Sequence, residues 1–136
     1  MAISKKGKRR LSYNGKQYLW WVFEEYDQTE FDGIQIKIID EDQTVILQYG
    51  IEQPEGERYL KVALAKDIGA VHLRCPKFED ENGAISPSGI HKMFEWVQEQ
   101  GLQSILERVV YAWRSTEQVS DPVEVEKLFK KIKQLL

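Results

Sequence analysis

The sequence predicts an α+β domain in which an antiparallel β-meander of five or six strands is packed on one face by three C-terminal helices. Residues 9–75 contain short segments that alternate apolar and polar residues, and turn residues separate these segments. Residues 86–136 contain apolar residues at helical spacing instead. Strand patterns that all precede helical patterns are typical of helices layered on one face of an antiparallel sheet.

The first two strands are predicted to form a hairpin around Asn14-Gly15, a favoured two-residue type I′ turn. Such a turn pairs Tyr13 with Lys16. Because successive strand residues point to opposite faces, Trp20 and Trp21 cannot both enter one core. One hairpin face is almost entirely apolar, and it comprises Leu11, Tyr13, Tyr18, Trp20 and Val22. We therefore predict that Trp20 is the core tryptophan and that Trp21 lies on the opposite face.

The later strands show the same alternation. "GIQIKIID" places isoleucines against Gln35 and Lys37, "DEDQ" makes a turn, and "TVILQYG" returns as the partner strand. Two further segments carry inward apolar residues at every second position, namely Leu60, Val62 and Leu64, then Val71, Leu73 and Cys75. "PKFEDENGAISPSG" follows as a loop that is rich in proline, glycine and acids.

Three amphipathic helices are predicted after this loop. The first begins at Ser86-Pro87, an N-cap followed by proline at the first helical position, and ends at Gly101. The third begins with a capping box formed by Asp121 and Glu124. The apolar stripes are Ile90, Met93, Phe94 and Val97; Leu102, Ile105, Leu106, Val109 and Trp113; and Val125, Leu128, Phe129, Ile132 and Leu136. Each stripe needs an apolar surface, which the meander provides.

Size and composition predict one domain. A chain of 136 residues, 42% of them hydrophobic, supports a single core, so we expect a domain over residues 8–136 after a flexible basic arm at residues 1–7. The net charge of −3 argues against a generally basic nucleic-acid-binding protein. The single cysteine, the lack of a long apolar run and the lack of a secretory signal favour a cytoplasmic protein without a membrane segment.

Two stretches resemble a family of small uncharacterised bacterial proteins. "KRRLSYNGKQYLWWV" is similar to the opening of such proteins, which begin with arginine, a short hairpin and a Tyr-x-Trp-x-Val strand. "GAISPSGIHKMFEWVQEQG" is similar to their late segment, in which a Thr/Ser-Pro helix start leads to "EW" and glycine. Leu102 stands where the family pattern has tryptophan. The resemblance implies a bacterial cytoplasmic protein and no particular activity.

Residues with catalytic or metal-binding chemistry are few. Cys75, His72 and His91 are the only set that suggests a nucleophile with a base, or a zinc site. His72 and Cys75 are three apart on one strand and should face opposite sides of the sheet, which disfavours both sites. The acids at 79–81 lack the spacing of a calcium loop, so we expect a solvated loop. We predict no catalytic residue, no metal site and no cofactor, and a Cys-dependent hydrolase remains an alternative.

The face opposite the predicted core is the best candidate for a binding site. Lys8, Arg10, Trp21 and Phe23 lie on it together, so aromatic rings alternate with cations. Such a face suits an acidic protein partner, because Trp and Arg are favoured interface anchors. Stacking of single-stranded bases is the alternative, although an acidic chain with one basic arm offers few phosphate contacts. A loop, an edge helix or a second copy of the chain would also cover Trp21. We expect a non-enzymatic domain that binds a protein partner or itself.

Overall fold

The computed structural model describes residues 8–26, 31–64, 68–114 and 122–134, and it confirms the α+β architecture. The strands are β1 (Arg9–Tyr13), β2 (Lys16–Glu25), β3 (Gly33–Asp40), β4 (Val45–Gly50), β5 (Tyr59–Leu64) and β6 (Gly69–Arg74). The helices are α1 (Pro87–Glu99), α2 (Leu102–Arg114) and α3 (Pro122–Lys133). The arm predicted at residues 1–7 and the predicted cap Asp121 lie outside the described residues.

The six strands form one antiparallel sheet whose spatial order is the order of the chain. The hairpin has the predicted register, with Tyr13 opposite Lys16 and Arg9 opposite Trp20. Asn14-Gly15 has positive φ at both residues, 50° and 76°, as a type I′ turn requires. The predicted hairpin is therefore confirmed.

The helices cover one face of the sheet. Trp20 is 5% exposed and belongs to the core, as predicted. Phe94 of α1 is fully buried and packs on Tyr18, with 4.7 Å between the ring centroids. The Ser86 hydroxyl accepts a hydrogen bond from the Gly89 amide, which confirms the predicted N-cap.

The helices do not cover the part of the sheet where β2 ends and β3 begins. Val22 and Ile34 belong to the same face as Trp20, yet they are 48% and 42% exposed. This differs from the prediction for both residues. Alternation determines the face to which a side chain points, whereas its burial depends on how far the covering helices extend.

The opposite face, called the outer face below, is partly covered by Phe31, which lies two residues before β3. Phe31 is 6% exposed, and its ring stacks on Tyr59 with 4.7 Å between centroids. The Phe31 carbonyl accepts a hydrogen bond from Gln35, and the Gln35 side-chain oxygen accepts one from Gln48. Gln35 is therefore fully buried, although the alternation of β3 predicts a solvent-facing side chain.

Gly50 leaves the space that Phe31 occupies. A Cβ atom on Gly50 would lie 2.6 Å from Phe31 Cδ1 and 3.0 Å from Phe31 Cβ, closer than carbon atoms approach. We expect Gly50→Ala to displace Phe31 and to lower the free energy of unfolding by about 1–3 kcal/mol, the usual cost of overpacking. Urea unfolding measures the loss. Because a Cβ at residue 50 and the Phe31 ring compete for one space, Gly50→Ala should cost less in a Phe31→Ala background, which removes the ring and leaves only the 3.0 Å Cβ contact; additive losses would contradict the contact.

Candidate binding face of the sheet

The outer face is organised in rows that cross the strands, because each residue lies beside its partner in register. The basic row comprises Lys8, Trp21, Lys37, Gln48, Lys61 and His72, with Lys8 placed over Trp21 at the β1 edge. The apolar row runs beside it from β2 to β6 and comprises Leu19, Ile39, Ile46, Ala63 and Ala70. At β1, the residue opposite Leu19 is Arg10. Because the strand order follows the chain, the sheet places a row that contains most of its outer cations next to a row of apolar side chains.

The four residues predicted as a binding site all belong to the outer face. Lys8 Nζ lies 4.5 Å from the centroid of the Trp21 ring. The cation nearest Phe23 is Lys37, whose Nζ lies 5.3 Å from the ring centroid, so it comes from β3 and not from the hairpin. Arg10 is exposed on β1. Lys37 is a member of this surface that sequence reasoning missed, because the long connection between β2 and β3 does not indicate their register.

Trp21 is neither a core residue nor a fully exposed one. Its side chain and that of Phe23 are half-buried. The ammonium of Lys8 lies over the Trp21 ring, and a cation–π contact of this kind contributes about 0.5–1 kcal/mol at an exposed site. The ring therefore helps to hold a positive charge in a defined place on the surface.

The outer face is positively charged, although the chain as a whole is acidic. Within β1–β6, the charged residues at outer positions are Arg10, Lys37, Lys61 and Arg74, and the carboxylate of Glu25. Lys8 adds a fifth cation beside β1. The whole chain contains 19 Lys and Arg against 22 Asp and Glu. Most of the acidic residues therefore lie elsewhere, and this face carries a charge opposite to that of the protein.

A separate polar cluster is buried beside the sheet. Arg58 Nη1 donates to both carboxylate oxygens of Glu79, at 2.7 and 3.0 Å, and Tyr49 donates to one of them at 2.7 Å. The Glu52 amide donates to the other oxygen at 2.8 Å. Glu79 is only 6% exposed, so the prediction of a solvated acidic loop is wrong for this residue. Its partners lie 21 to 30 residues away in the chain, and no local pattern indicates them.

The chemistry of this cluster is structural. Burial alone would raise the pKa of Glu79, but hydrogen bonds from the Glu52 amide, Tyr49 and Arg58 more than offset burial and hold that pKa below its usual value. Burial and the bond to Glu79 raise the pKa of Tyr49 well above its usual value. Neither group changes protonation near neutral pH. The cluster therefore ties β4 to the loop before α1 and supplies no acid or base.

The structure places the cysteine and the two histidines in three different surroundings. The ring of His72 lies on the outer face, 5.4 Å from that of Tyr59. His91 packs against Tyr13, at 5.6 Å between ring centroids. Cys75 packs against the core, and burial raises the pKa of its thiol to about 12. A thiol that stays protonated is a poor nucleophile.

Metal-binding and membrane-spanning features are not found in the described ranges. No group of three His, Cys, Asp or Glu side chains between residues 8 and 134, gaps excepted, is arranged to hold a metal ion. In the same part of the chain, the helices are too short or too polar to cross a bilayer.

Comparison with known proteins gives no match for this chain among protein-family models, curated proteins or solved structures. The strands of the outer face carry a net positive charge, whereas the whole chain is acidic. On this face, lysine ammonium groups lie over the rings of Trp21 and Phe23. The outer face is therefore the surface on which a functional argument can be built.

Proposed function

We propose that the protein is a non-enzymatic protein-binding domain whose outer face binds an acidic partner protein. The observation that carries this proposal is the segregation of charge: the outer positions of β1–β6, together with the adjoining Lys8, carry five cations and one carboxylate, in a chain whose net charge is −3. Complementary charge speeds and orients association. Trp21 and Phe23 supply the half-buried aromatic area that interface anchors use.

Self-association through this face is less favourable than binding to a different protein. A two-fold homodimer places the same surface patch of both copies in contact. Two copies of the basic row would then face each other, and like charges at an interface oppose association. An acidic partner meets no such repulsion.

Single-stranded nucleic acid also suits this face less well. Base stacking requires an accessible ring face, and the ammonium groups of Lys8 and Lys37 lie over the rings of Trp21 and Phe23. Tyr59 stacks against Phe31. A carboxylate partner uses these ammonium groups where they already lie, whereas a stacking base must displace them.

The test is affinity capture from nuclease-treated and untreated lysates of the source organism, followed by titration of the purified partner. Trp21→Ala should weaken binding about 30-fold, because loss of an aromatic anchor costs about 2 kcal/mol. Tyr111→Ala is the matched control, since Tyr111 is a 57% exposed aromatic on α2, away from the outer face. The captured partner should be acidic, and its affinity should fall with salt.

Three results would contradict the proposal. The first is a partner whose affinity is the same for wild type and Trp21→Ala. The second is material that disappears after nuclease treatment. The third is a concentration-dependent dimer that Trp21→Ala dissociates, which would make the face a homodimer interface.

A further inference from the structure

We infer that the partner binds through an acidic amphipathic helix that lies across the strands, with its carboxylates on the basic row and its apolar side chains on the apolar row. This inference rests on the proposed function and adds the kind of partner segment and its direction on the sheet.

The cations of the basic row recur at every second strand. Lys8 is at the β1 edge, Lys37 is in β3 and Lys61 is in β5. Neighbouring strands are about 4.8 Å apart, so the backbone positions of successive lysines are separated by about 10 Å. His72 extends the row to the β6 edge. From the β1 edge to β5, the row therefore offers positive charge at a regular interval.

An α-helix matches this interval. Residues seven apart in a helix are separated by about 10.5 Å along its axis and lie on nearly the same side. In an extended segment, residues on one side recur about every 6.7 Å, which does not coincide with the lysine interval. Carboxylates at every seventh residue of a helix would each lie near a lysine of the row.

The apolar row determines how such a helix is rotated about its own axis. Leu19, Ile39 and Ile46 lie two residues along the strands from the basic row, a distance of about 7 Å. A helix is about 10 Å wide with its side chains, so one helix contacts both rows. The half-buried side chains of Leu19 and Ile46 then lose further contact with water. An acidic stripe beside an apolar stripe is thus the pattern that fits this surface.

The experiment uses two synthetic peptides of about three heptads with the same composition. The first carries glutamate at every seventh residue, with leucine one and four residues after each glutamate and alanine and glutamine elsewhere. The second contains the same residues in scrambled order. Both are titrated by fluorescence anisotropy against the full chain, at low and at physiological salt, and an oligo-dT of similar charge is titrated alongside.

The patterned peptide should bind wild type at least tenfold more tightly than the scrambled peptide, and the double variant Lys37→Gln/Lys61→Gln should lose at least tenfold. The double variant Lys127→Gln/Lys130→Gln is the matched control, since both lysines are exposed on α3, and it should change affinity less than twofold. Each single variant at Lys37 or Lys61 should show a part of the loss, which keeps the test valid if the double variant is unstable.

Equal binding of the two peptides, or binding that survives the loss of Lys37 and Lys61, would overturn the inference. Binding of oligo-dT that depends on these lysines, without binding of the patterned peptide, would do so as well and would identify a nucleic-acid site. If the peptide results overturn the inference but a captured protein partner still depends on Trp21, the proposed function would stand. It would fall with the inference if no partner depends on the outer face.

Discussion

Replacing Glu79 with glutamine is expected to lower the free energy of unfolding by about 3–5 kcal/mol, because the change leaves the buried charge of Arg58 without its counter-ion. The side chains of Arg58 and Glu79 are 9% and 1% exposed, so water cannot readily replace the lost contact. Urea unfolding measures the loss. Glu81→Gln, in the exposed part of the same loop, should change stability by less than about 0.5 kcal/mol.

The effect of Glu79→Gln should depend on pH in a defined direction. The pKa of Glu79 in the folded protein is below its usual value of 4.5, so its ionised form stabilises the fold above that pH. This stabilisation is lost as the pH falls through the folded-state pKa. The stability difference between wild type and Glu79→Gln should therefore shrink as the pH is lowered from neutral to below 4.5. A difference that stays constant over this range would show that Glu79 is not the linked group.

Trp20→Ala is expected to cost about 3–5 kcal/mol of unfolding free energy, whereas Trp21→Ala should cost about 1 kcal/mol. Trp20 is 5% exposed within the core, and Trp21 is half-buried beneath the Lys8 ammonium. The two residues are adjacent and undergo the same change, so effects on the unfolded chain are matched. Equal losses from chemical unfolding would place Trp21 in a second core and would remove it as a binding anchor.

Features that depend on neighbouring residues could be predicted from the sequence. Asn14-Gly15 determines its own turn type, and that turn sets which residues pair in the hairpin. Alternation then separates Trp20 from Trp21. The Ser86 side chain caps α1 through an amide three residues away. In each of these cases, the interaction that selects the structure lies within a few residues.

Features that depend on distant residues could not be predicted. Burial of Gln35 follows from Phe31, which covers the outer face above Gly50. Burial of Glu79 follows from Tyr49 and Arg58. In both cases a polar residue is buried because the tertiary fold brings its hydrogen-bond partners to it. The spacing of residues in the sequence does not indicate which residues those partners are.

The sequence could predict only part of the candidate binding face, because the rest depends on the pairing of distant strands. The hairpin residues Lys8, Arg10, Trp21 and Phe23 share the outer face, as the hairpin register requires. Lys37 and Lys61 extend this surface only because β2, β3, β4 and β5 pair in a particular register. Their role in binding stays a prediction until the peptide titration is made.

The order of the strands has a consequence for how this surface can change over evolution. Since the sheet follows the chain, each strand from β2 to β6 contributes one position to each row of the outer face, and the residues on either side of that position in the strand belong to the core face. A substitution at an outer position alters one site of a row and leaves the packing beneath the helices intact. Under the proposed function, partner preference can therefore diverge by single steps between descendants of this chain, while the fold that presents the rows is inherited unchanged.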